Sequence, residues 1–125
     1  MHLNGRHIDK LEAEDITRLI EESVPESTTL DYKEELPNLK DKIQKLKWLA
    51  LVSSFANKDG GIIIYGIKEK RDSSGKSEGF PEKITGLATF NYDDVTLQMG
   101  QVLNAGLDPK LRPWNVSIKM RQIFS

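Results

Sequence analysis

Three carboxylates in the sequence stand next to segments with strand patterns. Glu26 precedes a stretch that alternates apolar and polar residues, Asp31 lies on the polar side of that stretch, and Glu69 follows an isoleucine-rich run. If the two strands are neighbours, the three side chains converge near one end of a sheet. Three such oxygen donors can hold Mg²⁺ or Mn²⁺, which polarises a phosphoryl group and activates water. These three residues are therefore the candidate catalytic and metal-binding set.

A lysine accompanies the acidic strand. Lys33 follows Asp31 by two residues, so both side chains lie on the same face of a strand. An ammonium group there can stabilise the negative charge that develops on a phosphate during cleavage. The alternative is that Asp31 and Lys33 form an ion pair on a solvated sheet face, which contributes little to stability. The residue types by themselves leave both interpretations open.

Other kinds of site are excluded by composition or spacing. The chain has no cysteine, so it can form neither a disulfide nor a thiolate metal site. The triplet Gly75-Lys76-Ser77 is similar to the end of a phosphate-binding loop, but position 70 is Lys where that loop needs Gly. Gly79 and Pro81 also oppose the helix that would have to follow Lys76. No Ser/His/Asp arrangement suited to nucleophilic hydrolysis is present.

The central stretch of the chain runs from Phe55 to Ile67. Asn57, Lys58 and Asp59 continue a helix poorly, because short polar side chains compete for backbone hydrogen bonds. Gly60 and Gly61 take positive φ without steric cost, so one of them is expected to end the helix. The apolar run from Ile62 to Ile67 then predicts a strand that is covered on both faces.

Hydrophobic spacing supplies the remaining elements. It predicts helices at about Asp9–Glu22, with Asp9 and Glu12 as a capping box, at Leu39–Phe55 and at Tyr92–Leu103. The second of these helices has one apolar stripe, which widens toward a nearly buried C-terminal end. The stripe consists of Leu39, Ile43, Leu46, Ala50 and Ser53, and the residues that widen it are Trp48, Leu49, Leu51, Val52 and Phe55. Alternation predicts strands at Thr28–Glu35 and Asn115–Phe124 and a short extended piece around Ile84. The polar segment from Lys68 to Gly79 is expected to be a surface loop.

Composition indicates one compact soluble domain. The 125 residues are 38% hydrophobic and 30% charged, with a formal net charge of −1. No membrane span or signal peptide is indicated, so a cytoplasmic protein is expected. The balanced charge opposes non-specific nucleic-acid binding by the whole surface. Four lysines nevertheless crowd the start of the second predicted helix, either as a solubilising face or as a phosphate-binding patch: Lys40, Lys42, Lys45 and Lys47.

Two segments resemble the Schlafen/AlbA-like domain family. Glu26-Ser27-Thr28-Thr29-Leu30-Asp31-Tyr32-Lys33 resembles the family's Glu-Ser-x-x-Leu-Glu-Phe-Lys opening. Ser54 to Ile67 resembles its Ala-Phe-Ala-Asn-Thr-x-Gly-Gly-x-Leu-x-x-Gly-Val signature. The two motifs are specific as a pair, and the resemblance covers nearly the whole chain.

The resemblance implies a compact α+β domain of Alba type, with a mixed sheet of about four strands packed on two to three helices. It implies a single domain over residues 1–125, as the N-terminal part of a longer bacterial protein similar to transcription regulators. Such domains are described as DNA-binding and sometimes as ATP-binding. In vertebrate Schlafens a related module cuts tRNA and rRNA with three acidic residues. Carried over, these are Glu26, Asp31 and a residue just after the central strand, where Lys68 and then Glu69 stand.

Three functions remain open on the sequence. The first is a DNA- or RNA-binding module that contacts phosphates through Lys33, Lys40, Lys45, Lys47, Asn57, Lys58, Gly60 and Gly61. The second is an endoribonuclease that acts on structured RNA such as tRNA, with Mg²⁺ or Mn²⁺ held by Glu26, Asp31 and Glu69. The third is a protein-interaction, oligomerisation or nucleotide-binding module. A homodimer is a possible partner arrangement, because vertebrate Schlafens clasp RNA between two such lobes.

Overall fold

The computed structural model describes residues 2–3, 5–7, 10–56 and 60–106. The elements in chain order are β1 (His2–Leu3), β2 (Arg6–His7), α1 (Ala13–Glu21), β3 (Leu30–Lys33), α2 (Lys42–Ala56), β4 (Ile62–Tyr65), β5 (Ile67–Arg71), β6 (Ser77–Ile84) and α3 (Tyr92–Gly106). The predicted α+β class is confirmed. The strand predicted at Asn115–Phe124 lies outside the described residues. None of the helices within these ranges has both the length and the apolar character that a membrane crossing needs.

The acidic strand and the isoleucine-rich strand are neighbours, as expected. β3 and β4 pair in parallel, with Asp31 opposite Ile63 and Lys33 opposite Tyr65. A parallel pair needs a crossover connection, and α2 supplies it. β5 and β6 form an antiparallel hairpin, and β5 also contacts β3. The four main strands of the described chain are therefore arranged as one parallel and one antiparallel pair.

Helices cover the β3–β4 pair on both faces. Leu30 and Tyr32 point into a core that α1 completes with Ile16 and Leu19. On the opposite face Trp48 of α2 packs with two side chains of α3, and Tyr65 of β4 packs against that cluster. Because strand side chains alternate, Asp31 and Lys33 share the α2 side with Tyr65. The burial predicted for the isoleucine run is thus confirmed, and the acidic residue lies on the α2 side.

The first helix begins later than its spacing predicts. α1 starts at Ala13, and the backbone N–H of Glu12 donates to Oδ2 of Asp15 at 2.8 Å. The capping box therefore uses Glu12 and Asp15, three residues beyond the predicted pair. The shift has a packing reason, because Leu11 is buried in the core ahead of the helix.

The predicted apolar stripe of α2 is wrong in the first half of the helix, whereas the burial predicted toward its end is confirmed at Trp48 and Phe55. Ile43 and Leu46 are 65% and 53% exposed, whereas Trp48 and Phe55 are buried. Apolar residues occur on all sides of this helix, so their spacing does not select one face. In the structure, the contacts of Trp48 decide which face of α2 is buried. Its Nε1–H donates to Oη of Tyr65 at 2.9 Å, and its ring packs on α3.

A hairpin replaces the predicted loop at Lys68–Gly79. The isoleucine run ends as a strand at Tyr65, because Gly66 adopts φ +91° and turns the chain into β5. The carbonyl of Gly66 accepts a hydrogen bond from the N–H of Thr85 at 2.8 Å, which fixes the turn against the end of β6. Apart from Phe80, the exposed positions of the two strands carry polar residues, so the sequence shows no hydrophobic alternation there that would predict a strand pair.

The Gly-Gly turn has two distinct roles. Gly60 adopts φ +102°, and its N–H donates to the carbonyl of Phe55 at 3.0 Å, so the expected glycine stop is confirmed. Gly61 is required for packing instead, because a Cβ there would overlap the ring of Phe55.

Candidate metal centre

The side chains of Glu26, Asp31 and Glu69 meet at one place. One carboxylate oxygen from each lies within 4.8 Å of the others, and all three residues are half-buried. They come from different elements, since Glu26 precedes β3, Asp31 lies on it and Glu69 lies on β5. The structure therefore brings together the three carboxylates that the sequence analysis selected.

Glu26 is held at both its backbone and its side chain. Its N–H donates to the carbonyl of Gly79 at 2.7 Å, which attaches it to β6. Its Oε2 accepts the backbone N–H of Tyr32 at 3.0 Å, which attaches it to β3. Tyr32 is in turn anchored, because its hydroxyl donates to the carbonyl of Val24 at 2.7 Å. The position of this carboxylate is thus defined by two strands.

Asp31 has an incompletely satisfied carboxylate. Its Oδ2 is buried and has no hydrogen-bond partner. Nζ of Lys33 lies 3.2 Å from that oxygen, as an ion pair that lacks hydrogen-bond geometry. A buried carboxylate oxygen without a hydrogen bond carries a desolvation cost. A divalent cation placed among the three carboxylates would supply the missing partner, so the donor set fits Mg²⁺ or Mn²⁺.

Glu69 is the third member of the cluster, and Lys68 is not part of it. Nζ of Lys68 forms an ion pair with Oε2 of Glu82 at 3.6 Å, across the hairpin. Oε2 of Glu69 accepts the hydroxyl of Ser77 at 2.6 Å. Ser77 was not predicted as a hydrogen-bond partner of the cluster, because the sequence did not predict the pairing of β5 with β6. The triplet that contains it borders a hairpin turn and precedes no helix, which agrees with the exclusion of a phosphate-binding loop.

The pKa of Glu26 is strongly raised by its surroundings in the cluster. Burial, followed by its hydrogen bonds with Asp31 and Glu69, raises the pKa of Glu26 from 4.5 to about 8. The N–H of Tyr32 lowers this pKa, and the charge of Asp31 raises it further. Carboxylates this close resist ionising together unless a cation balances them. Without a metal, Glu26 therefore keeps its proton near neutral pH.

This raised pKa predicts that the metal-free protein loses stability as pH rises. A carboxyl whose folded pKa is raised stabilises the fold at low pH, and that contribution is lost between about pH 4.5 and 8. Because the site is partly exposed, we expect a loss on the order of 1 kcal/mol. Glu26→Gln keeps an uncharged acceptor and removes this pH dependence. Urea unfolding in EDTA at pH 5 and pH 9 measures it.

Glu78→Gln is the matched control for that measurement, since Glu78 is an exposed carboxylate on β6. The control is expected to follow the wild-type pH dependence. Equal pH dependence of unfolding in wild type and Glu26→Gln would contradict the assignment of the proton to this cluster.

Helix α2 crosses the face of the strand pair on which the cluster lies. Burial raises the pKa of Tyr65 to about 12, with an opposing contribution from the Trp48 hydrogen bond and a further increase from the charge of Asp31. Tyr65 therefore stays neutral and links α2 to the strand beside Asp31. Since a crossover helix runs back against its strands, α2 begins at the edge where β3 and β4 end.

This topology divides the candidate phosphate-binding residues between two edges. Lys33 ends β3, Lys40 precedes α2, and Lys45 and Lys47 lie in its first half, so these four share the edge where the strands end. Lys40 and Lys47 are exposed and Lys45 is half-buried. Gly60 and Gly61 precede β4 and therefore lie at the opposite edge. Asn57 and Lys58 lie outside the described residues.

Comparison with known proteins places this geometry in a family. The model of the family described as Schlafen, AlbA_2 matches residues 26–123, which begin at the first carboxylate of the cluster. Neither the curated proteins nor the solved structures gave a match. The family is associated with nucleic-acid binding, which indicates a nucleic-acid-related domain. With most of its length matched, the chain belongs to the Schlafen/AlbA_2 family.

Proposed function

We propose that this chain is a nucleic-acid-binding domain whose three carboxylates form the centre of a metal-dependent nuclease. One observation carries the proposal: a carboxylate oxygen of Asp31 is buried without a hydrogen bond inside a group of three carboxylates. The ion pair with Lys33 leaves this oxygen without a hydrogen bond, and a buried polar atom without a hydrogen bond costs free energy. A binding site for a cation accounts for the cost.

Each residue has a separate role in this proposal. Glu26, Asp31 and Glu69 hold Mg²⁺ or Mn²⁺, which when bound polarises the scissile phosphate and activates water. Lys33 keeps half of its side chain exposed, so its ammonium group can reach a phosphate beside the cluster. In the protein without substrate, the same group is neutralised by Asp31.

The lysines at and just before the start of α2 provide the surface that holds the polynucleotide. Lys40, Lys45 and Lys47 lie at the same edge as Lys33, and contacts of this kind to phosphates set register without reading sequence. With a net charge of −1, the chain must bind through this local patch, so binding is expected to weaken steeply with salt. We propose structured RNA such as tRNA as the substrate, by the resemblance to the Schlafen module that cuts RNA.

The second candidate function is DNA binding without catalysis, as in a transcription regulator. The raised pKa of Glu26 favours it, since a protonated Glu26 can donate to Asp31 or Glu69 and hold the cluster together without a cation. In that case the acidic group is a structural proton-sharing site, and the lysines alone account for function.

A cleavage panel separates the two functions. Labelled tRNA, single-stranded DNA and duplex DNA are incubated with the protein in Mn²⁺, in Ca²⁺ and in EDTA. The nuclease proposal expects tRNA fragments in Mn²⁺ and intact tRNA in EDTA. Salt-sensitive retention of DNA with no cleavage in any metal supports the second function and contradicts the first.

A further inference from the structure

We propose that Ser77 is a positioning residue for the metal centre, which it serves by fixing the carboxylate of Glu69. The proposal rests on the function proposed above. It assigns a role in that site to strand β6, which contributes no carboxylate to it.

The hydroxyl of Ser77 both donates and accepts a hydrogen bond. It donates to Oε2 of Glu69 at 2.6 Å and accepts the N–H of Gly79 at 3.2 Å. A serine hydroxyl has one hydrogen to donate and two lone pairs that accept, so Ser77 can bond to Glu69 and to Gly79 at the same time. A bond from a hydroxyl to a carboxylate at this distance belongs to the stronger class of hydrogen bonds. Ser77 is half-buried, which limits competition from water.

An irregularity in the hairpin creates this arrangement. Glu69 is opposite Pro81 and Arg71 is opposite Ser77, so β6 has more residues than β5 between the two pairs. Gly79 lies in this bulge with φ +80°, a conformation that glycine adopts without strain. Bulges redirect side chains and occur often beside active sites. Here the bulge leaves Ser77 within reach of Glu69 although they are not register partners.

The same bulge holds a second ligand of the proposed site. The carbonyl of Gly79 accepts the N–H of Glu26 at 2.7 Å, while the N–H of Gly79 donates to Ser77. Residues Ser77 to Gly79 therefore connect the backbone of Glu26 to the side chain of Glu69. This connection fixes the spacing of two carboxylates that are far apart in the sequence, before any cation binds.

The expected loss of metal affinity can be judged from known metal sites in which a hydrogen bond orients a ligand of the metal. Removal of a group that orients a ligand typically weakens metal binding 10–100-fold. Without the hydroxyl, the Glu69 side chain regains rotamers that binding must then freeze again. Fold stability changes little by comparison, because the hydroxyl lies on a half-exposed hairpin.

The test measures Mn²⁺ affinity by titration calorimetry and by the electron paramagnetic resonance signal of free Mn²⁺. Ser77→Ala is expected to bind Mn²⁺ roughly 10–100-fold more weakly than wild type, with an unchanged melting temperature in EDTA. Ser77→Thr keeps the hydroxyl and is expected to restore affinity to within about threefold of wild type. Ser73→Ala is the matched control, since Ser73 is an exposed serine in the same hairpin.

Three results overturn the proposal, and they distinguish its failure from failure of the metal centre. Wild-type affinity in Ser77→Ala, or equally weak binding by Ser77→Ala and Ser77→Thr, removes the positioning role and leaves the metal centre intact. Absence of Mn²⁺ binding by the wild-type protein removes the metal centre and the positioning role together.

Discussion

Asp31→Asn is expected to lower the rate of Mn²⁺-dependent RNA cleavage by about 100–1,000-fold. The substitution keeps the size of the side chain and removes the charge of the proposed ligand whose oxygen is buried without a hydrogen bond. It also removes the negative partner of Lys33, so that ammonium group is no longer neutralised in the free protein. Cleavage of labelled tRNA under single-turnover conditions measures the loss of rate. A Mn²⁺ titration measures the accompanying loss of metal affinity.

The fold of Asp31→Asn is expected to survive. An amide in this position reduces the repulsion among three crowded carboxylates, so the melting temperature in EDTA stays within a few degrees of wild type. Asp93→Asn is the matched control, because Asp93 is an exposed carboxylate in the first turn of α3. If Asp31→Asn cleaved RNA at the wild-type rate, the assignment of catalysis to these three carboxylates would be refuted, whatever the affinity of the variant for RNA.

Gly61→Ala is expected to lower the free energy of unfolding by about 2 kcal/mol, a drop of several degrees in melting temperature. The added Cβ would overlap the ring of Phe55, which is buried at the end of α2. Because Cγ of the ring is among the overlapping atoms, rotation of the ring about its own axis cannot relieve the contact. Urea or thermal unfolding followed by circular dichroism measures the change.

A matched glycine and a double substitution test the cause. Gly100 lies inside α3, and a Cβ there meets no atom within 4 Å, so Gly100→Ala is expected to stabilise the protein by about 0.5–1 kcal/mol. Combining Gly61→Ala with Phe55→Leu is expected to cost less than the sum of the two, since the smaller side chain removes the overlap. Strictly additive losses would show that the Phe55 contact is not the reason.

The local pattern was sufficient to predict part of the site. Leu30 and Tyr32 alternate with Asp31 and Lys33, so the side on which each points follows from strand geometry alone. The continuous apolar character of Ile62–Tyr65 likewise indicated a strand covered on both faces, which α1 and α2 provide. These properties depend on neighbours in the chain, and such information is fully present in a sequence.

The pairing around Glu69 could not be predicted in the same way. Its place in the cluster depends on the turn at Gly66 and on the bulge at Gly79, neither of which has a hydrophobic signature. The partnership of Glu69 with Ser77 is set by backbone pairing across an exposed hairpin, to which polar side chains contribute no alternation. The buried face at the start of α2 was mispredicted for a related reason, because apolar residues surround that helix and the packing of Trp48 against its partners decides which face is buried.

By itself the sequence determined the three candidate carboxylates and the face from which Asp31 projects, because residue type and periodicity act over a few positions. The α+β class followed from the resemblance of two motifs to a known family. Tertiary structure alone decided that Glu26, Asp31 and Glu69 lie within 4.8 Å of one another, that an oxygen of Asp31 is left without a hydrogen bond, and that β6 holds the group together. The physical reason is that these properties arise from contacts between segments distant in the chain, whose free energy depends on the packing of the whole domain.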